Sequence, residues 1–137
     1  VRLNLAMADA FIAAWHTKYA LSVLRPVTYV QLVIDSNWVP TLMHTPPFPE
    51  YPSGHSVQSS AAAAVLEKEF GAATAFTDNT HNDRGWGPRT FKSFKAAAEE
   101  AALSRLYAGI HFRFGVVGGQ VQGQCVAQKV LALKFQK

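Results

Sequence analysis

Five prolines lie between residues 37 and 52, and an alanine-rich stretch follows almost at once. Proline lacks a backbone N–H and restricts its own φ, so residues 37–52 are not expected to form regular structure. The stretch from His55 to Phe70 has high helix propensity, and Gly71 is suited to end a helix. The sequence therefore predicts a long ordered loop that leads the segment YPSGHS, residues 51–56, into the start of a helix.

The remaining segments also favour helices over strands. Apolar residues near the start recur at three- and four-residue steps, which is the helical period, and Pro26 predicts an end or a kink at Arg25. A lone strand in the β-branched segment after Pro26 would have no partner, so we expect a short helix there. The predicted helices cover residues 3–24, 27–34, 55–70, 91–107 and 117–135, and the loops cover 37–52 and 77–90. The predicted fold class is all-α, a compact bundle with two long loops in one domain, residues 1–137.

Composition limits the classes of function. Hydrophobic residues make up 49% of the chain and charged residues only 16%, so the chain is expected to fold and to cover some apolar surface with a partner. The net charge of +4 suits an anionic ligand, but the basic residues are too dispersed to predict nucleic-acid binding. No apolar run is long enough to predict a membrane span. Cys125 is the only cysteine and is expected to pack as a small apolar residue. The compartment stays open, with a soluble periplasmic or secreted location among the options.

The predicted helix start after the proline-rich loop is suited to an oxyanion. The first turn of a helix has unpaired N–H groups and the positive end of the helix dipole. Ser53 adds a hydroxyl group, and His55 adds a side chain that titrates near neutral pH. The ordinary alternative is a Pro-Ser-Gly turn that only caps the helix.

An anion at this place usually needs cationic side chains from elsewhere in the chain. Lys18 and Arg25 are seven residues apart, about two helical turns, so they project to nearly the same side. Arg105 and His111 flank Gly109, where a turn would fold His111 back toward Arg105. Each of these residues taken singly also has an ordinary structural explanation, such as a helix end or a solvated loop.

Three segments in this order, KYALSVLRP, PSGH and SRLYAGIH, resemble the signature of the type 2 phosphatidic acid phosphatase (PAP2) and vanadium-dependent haloperoxidase superfamily. The sequences around the second and third segments, TPPFPEYPSGHS and SRLYAGIHFRF, are more similar to the soluble bacterial haloperoxidase-like branch than to the phosphatases. The resemblance extends from about residue 3 to residue 130 and implies the helical bundle of that superfamily.

The resemblance also implies a role for each matched residue. The oxygens of vanadate or phosphate would be bound by Lys18, Arg25, Ser53, Gly54 and Arg105. His111 would ligate vanadium in a haloperoxidase or attack phosphorus in a phosphatase, and His55 would act as the general acid or base. The implied cofactor is vanadate, and phosphate is able to occupy the same site. The implied partners are hydrogen peroxide and a halide, or else a phosphate ester.

The sequence departs from the superfamily pattern in two ways. Gly115 stands where the pattern usually has an aspartate that orients the ring of His111. Another group would then have to orient the ring. The candidates are a backbone carbonyl and the carboxylates of Asp9, Asp35, Glu99 and Glu100. The chain is also shorter than the soluble haloperoxidases, so it is either a fragment or a compact version. An apolar surface left uncovered predicts a homo-oligomer, which a monodisperse monomer in sedimentation would contradict.

Three functions therefore stay open at the level of the sequence. They are a vanadate-dependent haloperoxidase, an acid phosphatase-type phosphomonoesterase with a phosphohistidine intermediate, and an inactive oxyanion-binding relative. Halide access depends on the aromatic side chains that line the pocket, and the candidates are Trp38, Phe48, Tyr51, Trp86 and Phe112. Each of them also has an explanation as core or loop packing.

Overall fold

The computed structural model describes residues 1–42 and 44–134, and most of these residues are helical. The helices are α1 (Arg2–Leu21), α2 (Pro26–Val33), α3 (Gly54–Phe70), α4 (Phe94–Tyr107) and α5 (Arg113–Leu131). The strands are β1 (Phe76–Asp78) and β2 (Arg89–Phe91), and a 3-10 turn (Asn82–Arg84) lies between them. The predicted all-α bundle is confirmed, including the short helix α2 and the helix that begins at the PSGH segment.

Small residues form the core where α1, α3 and α5 meet. Its buried members are Ala6, Ala10, Ala14, Val57, Ala61, Val65, Ala127 and Val130. A Cβ atom on Gly123 of α5 would lie 2.1 Å from the carbonyl oxygen of Val57 in α3. The two helices therefore meet backbone to backbone, which a larger residue would prevent. This close packing places the start of α5 beside the start of α3.

The helix α1 ends earlier than predicted. Its last residue is Leu21 rather than residue 24, because Ser22 adopts a left-handed conformation with φ 48° and donates its N–H to the carbonyl of Lys18. Arg25 consequently lies outside α1, as the extended N-cap of α2. Pro26 follows at the first position of α2, where its missing N–H removes no helical hydrogen bond.

The starts of α4 and α5 also differ from the prediction. Helix α4 begins at Phe94 rather than residue 91, because Ser93 caps it by accepting a hydrogen bond from the N–H of Ala96 at 3.0 Å. Helix α5 begins at Arg113 rather than residue 117, since its glycines are positions of tight helix packing and not of helix interruption. Helix α5 ends at Leu131 rather than near residue 135, because Ala132 is its C-cap and residues 133 and 134 are not helical.

The predicted loop 77–90 contains a small antiparallel hairpin. Phe76 of β1 pairs with Phe91 of β2, and Asp78 pairs with Arg89. The rings of Phe76 and Phe94 stack with centroids 5.2 Å apart, which attaches the hairpin to α4. Polar residues dominate the segment, and two strands of three residues each are too short for a visible alternation of apolar and polar residues.

Large apolar side chains remain exposed on several elements, α1 and α2 among them. They include Leu5, Phe11, Ile12, Tyr19, Tyr29, Leu32 and Val33. This exposure leaves the homo-oligomer as a prediction. Cys125 is exposed, so its expected burial was wrong. The buried face of α5 carries Gly123 and Ala127, and a residue midway between them points to the opposite side of the helix. Over the described parts of the chain, no helix is long and apolar enough to cross a membrane.

Candidate oxyanion site

The predicted site residues lie where helix ends meet the proline-rich loop. Lys18 is in the last turn of α1, Arg25 caps α2 and Ser53 caps α3. Arg105 is in the last turn of α4, and His111 lies two residues before α5. Each helix presents a terminus here, and termini carry the backbone groups that the helix itself leaves unpaired.

Lys18 is fully buried and ties α1 to the proline-rich loop. Its Nζ donates hydrogen bonds to the carbonyls of Pro49 at 2.9 Å, Glu50 at 3.0 Å and Pro52 at 2.5 Å. These bonds use all three N–H groups of the ammonium. The pKa of Lys18 is lowered to about 8, first by desolvation and then by the charge of Arg25, whereas the Glu50 carboxylate opposes the shift. Direct contact of Lys18 with an oxyanion therefore requires exchange of one carbonyl.

Arg25 joins the proline-rich loop to the third motif. Its Nε donates to the carbonyl of Phe48 at 2.8 Å, and its Nη1 donates to the carbonyl of Ile110 at 2.7 Å. The same Nη1 lies 3.1 Å from Nε2 of His111. Arg25 Nη2 is buried and has no hydrogen-bond partner among the described residues. One edge of the guanidinium thus holds the protein together, while the other still has a donor to offer.

His111 is buried and held from both sides of its ring. Nδ1 lies 2.7 Å from Oε1 of Glu50, and Nε2 faces Arg25. Because a guanidinium can only donate, Nε2 must accept, and the proton of the neutral ring is on Nδ1. The pKa of His111 is lowered, first by desolvation and also by the charges of Arg25 and Lys18, although the hydrogen bond to Glu50 opposes this. The ring is therefore neutral near pH 7 with its lone pair on Nε2.

The carboxylate that orients His111 is Glu50, which the sequence analysis missed. None of the four candidate carboxylates is bonded to His111. Asp9 is exposed on α1, and Asp35 accepts a hydrogen bond from the N–H of Asn37. Glu99 pairs with Lys95, and Glu100 pairs with Arg89. One signal was present, because Glu50 is the only acidic residue of the proline-rich loop. Its contact with His111 joins positions 61 residues apart, and no local pattern predicts such a pair.

Ser53 and Gly54 form the entry to α3 as the sequence predicted. Ser53 is fully buried, and its Oγ accepts a hydrogen bond from the N–H of Ser56 at 3.4 Å, so the hydroxyl proton can still be donated. Gly54 is the first residue of the helix, where the backbone N–H has no intrahelical acceptor. A Cβ atom on Gly54 would lie 3.2 Å from the ring of Trp15, so the glycine lets this ring pack closely over the turn.

His55 and Arg105 are less tightly held than the other site residues. His55 is exposed, yet its pKa is lowered, first by desolvation and then by the positive charges of Arg105 and His111. Arg105 is half-buried, and its Nε is buried without a partner among the described residues. One direct hydrogen bond thus joins Arg25 to His111, whereas among the described residues none joins His55 or Arg105 to that pair.

Of the aromatic candidates for the pocket, Phe48 contacts the cations. Its ring centroid lies 5.2 Å from Nζ of Lys18 and 4.9 Å from Cζ of Arg25, within the range of a cation–π interaction. Three of the others pack against different residues: Trp38 against Gly109, and Tyr51 and Phe112 against Phe114. Trp86 packs against His81 and lines a cavity that Arg105 also lines. Gly109 has φ 72° and makes the turn that the sequence predicted between Arg105 and His111.

Comparison with known proteins is consistent with this fold. Residues 31–136 match the family model of the VCPO second helical-bundle domain. The chain therefore belongs to this family of the vanadium haloperoxidase superfamily, as the resemblance implied.

Solved structures of bacterial enzymes share the fold. One is described as the first bacterial vanadium-dependent iodoperoxidase; it is 48% identical over 95% of this chain and 32% of that chain, with a TM-score of 0.90. A holo-type bacterial vanadium-dependent chloroperoxidase is 22% identical over 94% of this chain and 34% of that chain, with a TM-score of 0.77. Its apo-type counterpart is 22% identical over 95% and 36%, with a TM-score of 0.73. The chain thus spans about a third of the length of these structures. Among curated proteins no significant match was found.

Proposed function

We propose that this chain carries the vanadate site of a haloperoxidase that oxidises halide with hydrogen peroxide. The observation that carries the proposal is the state of His111. The ring is neutral and buried, and its Nε2 lone pair faces the guanidinium of Arg25, whereas the Glu50 carboxylate lies at Nδ1. A ring in that state is able to ligate an electron-poor centre whose oxygens the cations neutralise.

The residues present fit vanadate. A tetrahedral oxyanion needs several N–H or O–H donors for its oxygens, and vanadium needs one further lone pair. Arg25 Nη2 and Arg105 Nε are buried donors without a partner among the described residues. The Ser53 hydroxyl and the Gly54 N–H add neutral donors at the start of α3, where the helix dipole favours an anion. His111 Nε2 would supply the lone pair by exchanging the hydrogen bond that it accepts from Nη1 of Arg25 for the vanadium.

The remaining residues of the site prepare this pocket. Lys18 contributes positive charge while it holds the loop against α1, and the ring of Phe48 lies against both Lys18 and Arg25. His55 is neutral near pH 7 because its pKa is lowered, so it can accept a proton from hydrogen peroxide as a general base. Bound vanadate would serve as the Lewis acid that activates the peroxide.

A phosphomonoesterase is the second candidate, because the same donors match phosphate. The neutral Nε2 of His111 would then attack phosphorus, and His55 would protonate the leaving alcohol. The third candidate, an inactive relative, rested on Gly115 in place of an aspartate and on the short length of the chain. Glu50 supplies a carboxylate to His111 from another part of the chain, which weakens the case for an inactive relative.

A paired assay of the purified chain, incubated with vanadate, tests the proposal. One arm follows halogenation of a phenolic indicator with peroxide and iodide, bromide or chloride, and the other follows release of nitrophenol from its phosphate ester. We expect halogenation that requires vanadate and is lost in His111→Ala. It should persist in the control His16→Ala, which removes an exposed histidine of α1. Ester hydrolysis that vanadate inhibits would instead favour the phosphatase. Activity in neither arm would overturn both.

A further inference from the structure

We infer that Glu50 and Gly115 form a complementary pair, in which the Glu50 carboxylate is the positioning group for His111 and Gly115 is the gap that admits it. The catalytic meaning of this pair rests on the proposed function, whereas the pair itself can be tested without vanadate. Neither residue belongs to the three sequence motifs. Together they explain how the ring of His111 is bonded to a carboxylate although the third motif has no acidic residue after the histidine.

The position of Glu50 is determined on both its backbone and its side chain. Its backbone N–H donates to the carbonyl of Val23 at 2.9 Å, and its own carbonyl accepts from Lys18. Its side chain is fully buried, and Oε1 accepts from both Nδ1 of His111 at 2.7 Å and the backbone N–H of Phe112 at 3.1 Å. Phe112 is the N-cap of α5, so the carboxylate lies at the positive end of that helix dipole.

Gly115 leaves the space that this carboxylate fills. A Cβ atom at position 115 would lie 2.1 Å from Oε1 of Glu50 and 2.7 Å from both Cδ and Oε2. The backbone at 115 has little freedom to yield, because its carbonyl accepts the N–H of Ser53 at 2.9 Å and so is attached to the start of α3. A side chain at 115 and the carboxylate of Glu50 therefore exclude one another. A carboxylate carried by residue 115 itself would begin in the same space.

Two contacts on opposite sides of the ring specify one tautomer of His111. Glu50 requires a proton on Nδ1, and Arg25 requires a lone pair on Nε2. Removing the carboxylate leaves a buried Nδ1–H without an acceptor, which is costly. The ring would then rotate or move its proton to Nε2, and the lone pair would no longer face the cations.

Nuclear magnetic resonance of isotope-labelled histidine ring nitrogens, without vanadate, tests this pair. His111 is assigned by comparison with His111→Ala. In the wild type we expect a protonated, hydrogen-bonded Nδ1 and an unprotonated Nε2. Glu50→Gln should keep this pattern, since the amide oxygen can still accept from Nδ1 and from the N–H of Phe112. Glu50→Ala and Gly115→Ala should lose it, and the exchange Glu50→Ala with Gly115→Asp should restore it.

Two further measurements separate the outcomes. Gly87→Ala is the control for added Cβ atoms, since nothing lies within 4 Å of a Cβ at that position, and it should leave the spectrum unchanged. Vanadate affinity should fall about 10–100-fold in Glu50→Ala, as is typical when the partner of a metal-bound histidine is removed, and recover in the exchange variant.

The inference is wrong if folded Glu50→Ala or folded Gly115→Ala keeps the wild-type tautomer. Circular dichroism shows whether each variant is folded. If Glu50→Ala does not fold, the tautomer of His111 in Gly115→Ala and in the exchange variant tests the inference instead. If the variants change the tautomer as expected but the wild type does not bind vanadate, the pairing of Glu50 with Gly115 is supported and the proposed function is wrong.

Discussion

Replacement of Arg25 by lysine tests whether the site depends on the shape of the guanidinium or only on its charge. Arg25 makes hydrogen bonds in two directions, from Nε to the carbonyl of Phe48 and from Nη1 to the carbonyl of Ile110. It also lies over the ring of Phe48. Two different nitrogens of Arg25 make these bonds, and a lysine at this position would carry only one nitrogen, so we expect it to keep only one of them.

The expected loss of stability follows from the groups left behind. Arg25 is 6% exposed, and neither carbonyl has another hydrogen-bond donor among the described residues. A buried polar group without a partner costs about 1–3 kcal/mol, and the lost bond to the second carbonyl is one such case. Loss of the contact with His111 adds a smaller amount. We therefore expect Arg25→Lys to lower the free energy of unfolding by about 2–4 kcal/mol.

The control is Arg89→Lys, which makes the same chemical change at the surface. Arg89 pairs with Glu100, and both side chains are largely exposed, so the expected change is at most about 0.5 kcal/mol. Urea unfolding of the two variants without vanadate, followed by circular dichroism, measures the difference. Equal losses in the two variants would show that the directed bonds of Arg25 do not stabilise the site.

Two other predictions follow from the packing and from the titration of the site. Gly123→Ala places a Cβ against a backbone carbonyl of α3 and should lower the free energy of unfolding by about 1–3 kcal/mol, despite the better helix propensity of alanine. The control Gly87→Ala should be close to neutral, because nothing lies within 4 Å of a Cβ at that position. Equal effects of the two variants in thermal unfolding would contradict the close helix contact. The folded state lowers the pKa of His55 and His111 below 6.5, so the unfolded chain binds their protons first as the pH falls, and the free energy of unfolding should decrease below pH 6.5. His55→Gln should make this decrease smaller in urea titrations, and a stability that stays constant or rises on acidification would refute the assignment.

Local signals in the sequence were sufficient for the helices and for the PSGH turn. Periodic apolar residues, proline at the start of α2 and serine before α3 act over one or two turns, so a reader of the sequence can place the elements within a few residues. The hairpin was missed because its strands are short and polar. The predicted burial of Cys125 was wrong, because it followed from the residue type alone and did not consider which face of α5 carries the glycines.

The sequence by itself determined the bundle, the order of the motifs and the residue types able to hold an oxyanion. The tertiary structure alone decided which carboxylate contacts His111 and that Lys18 donates its three hydrogen bonds to the proline-rich loop. It also left Nη2 of Arg25 without a partner among the described residues. The physical reason is distance along the chain. Helix propensity and capping act between neighbours, whereas these contacts join residues 31 to 86 positions apart and exist only after the helices have packed.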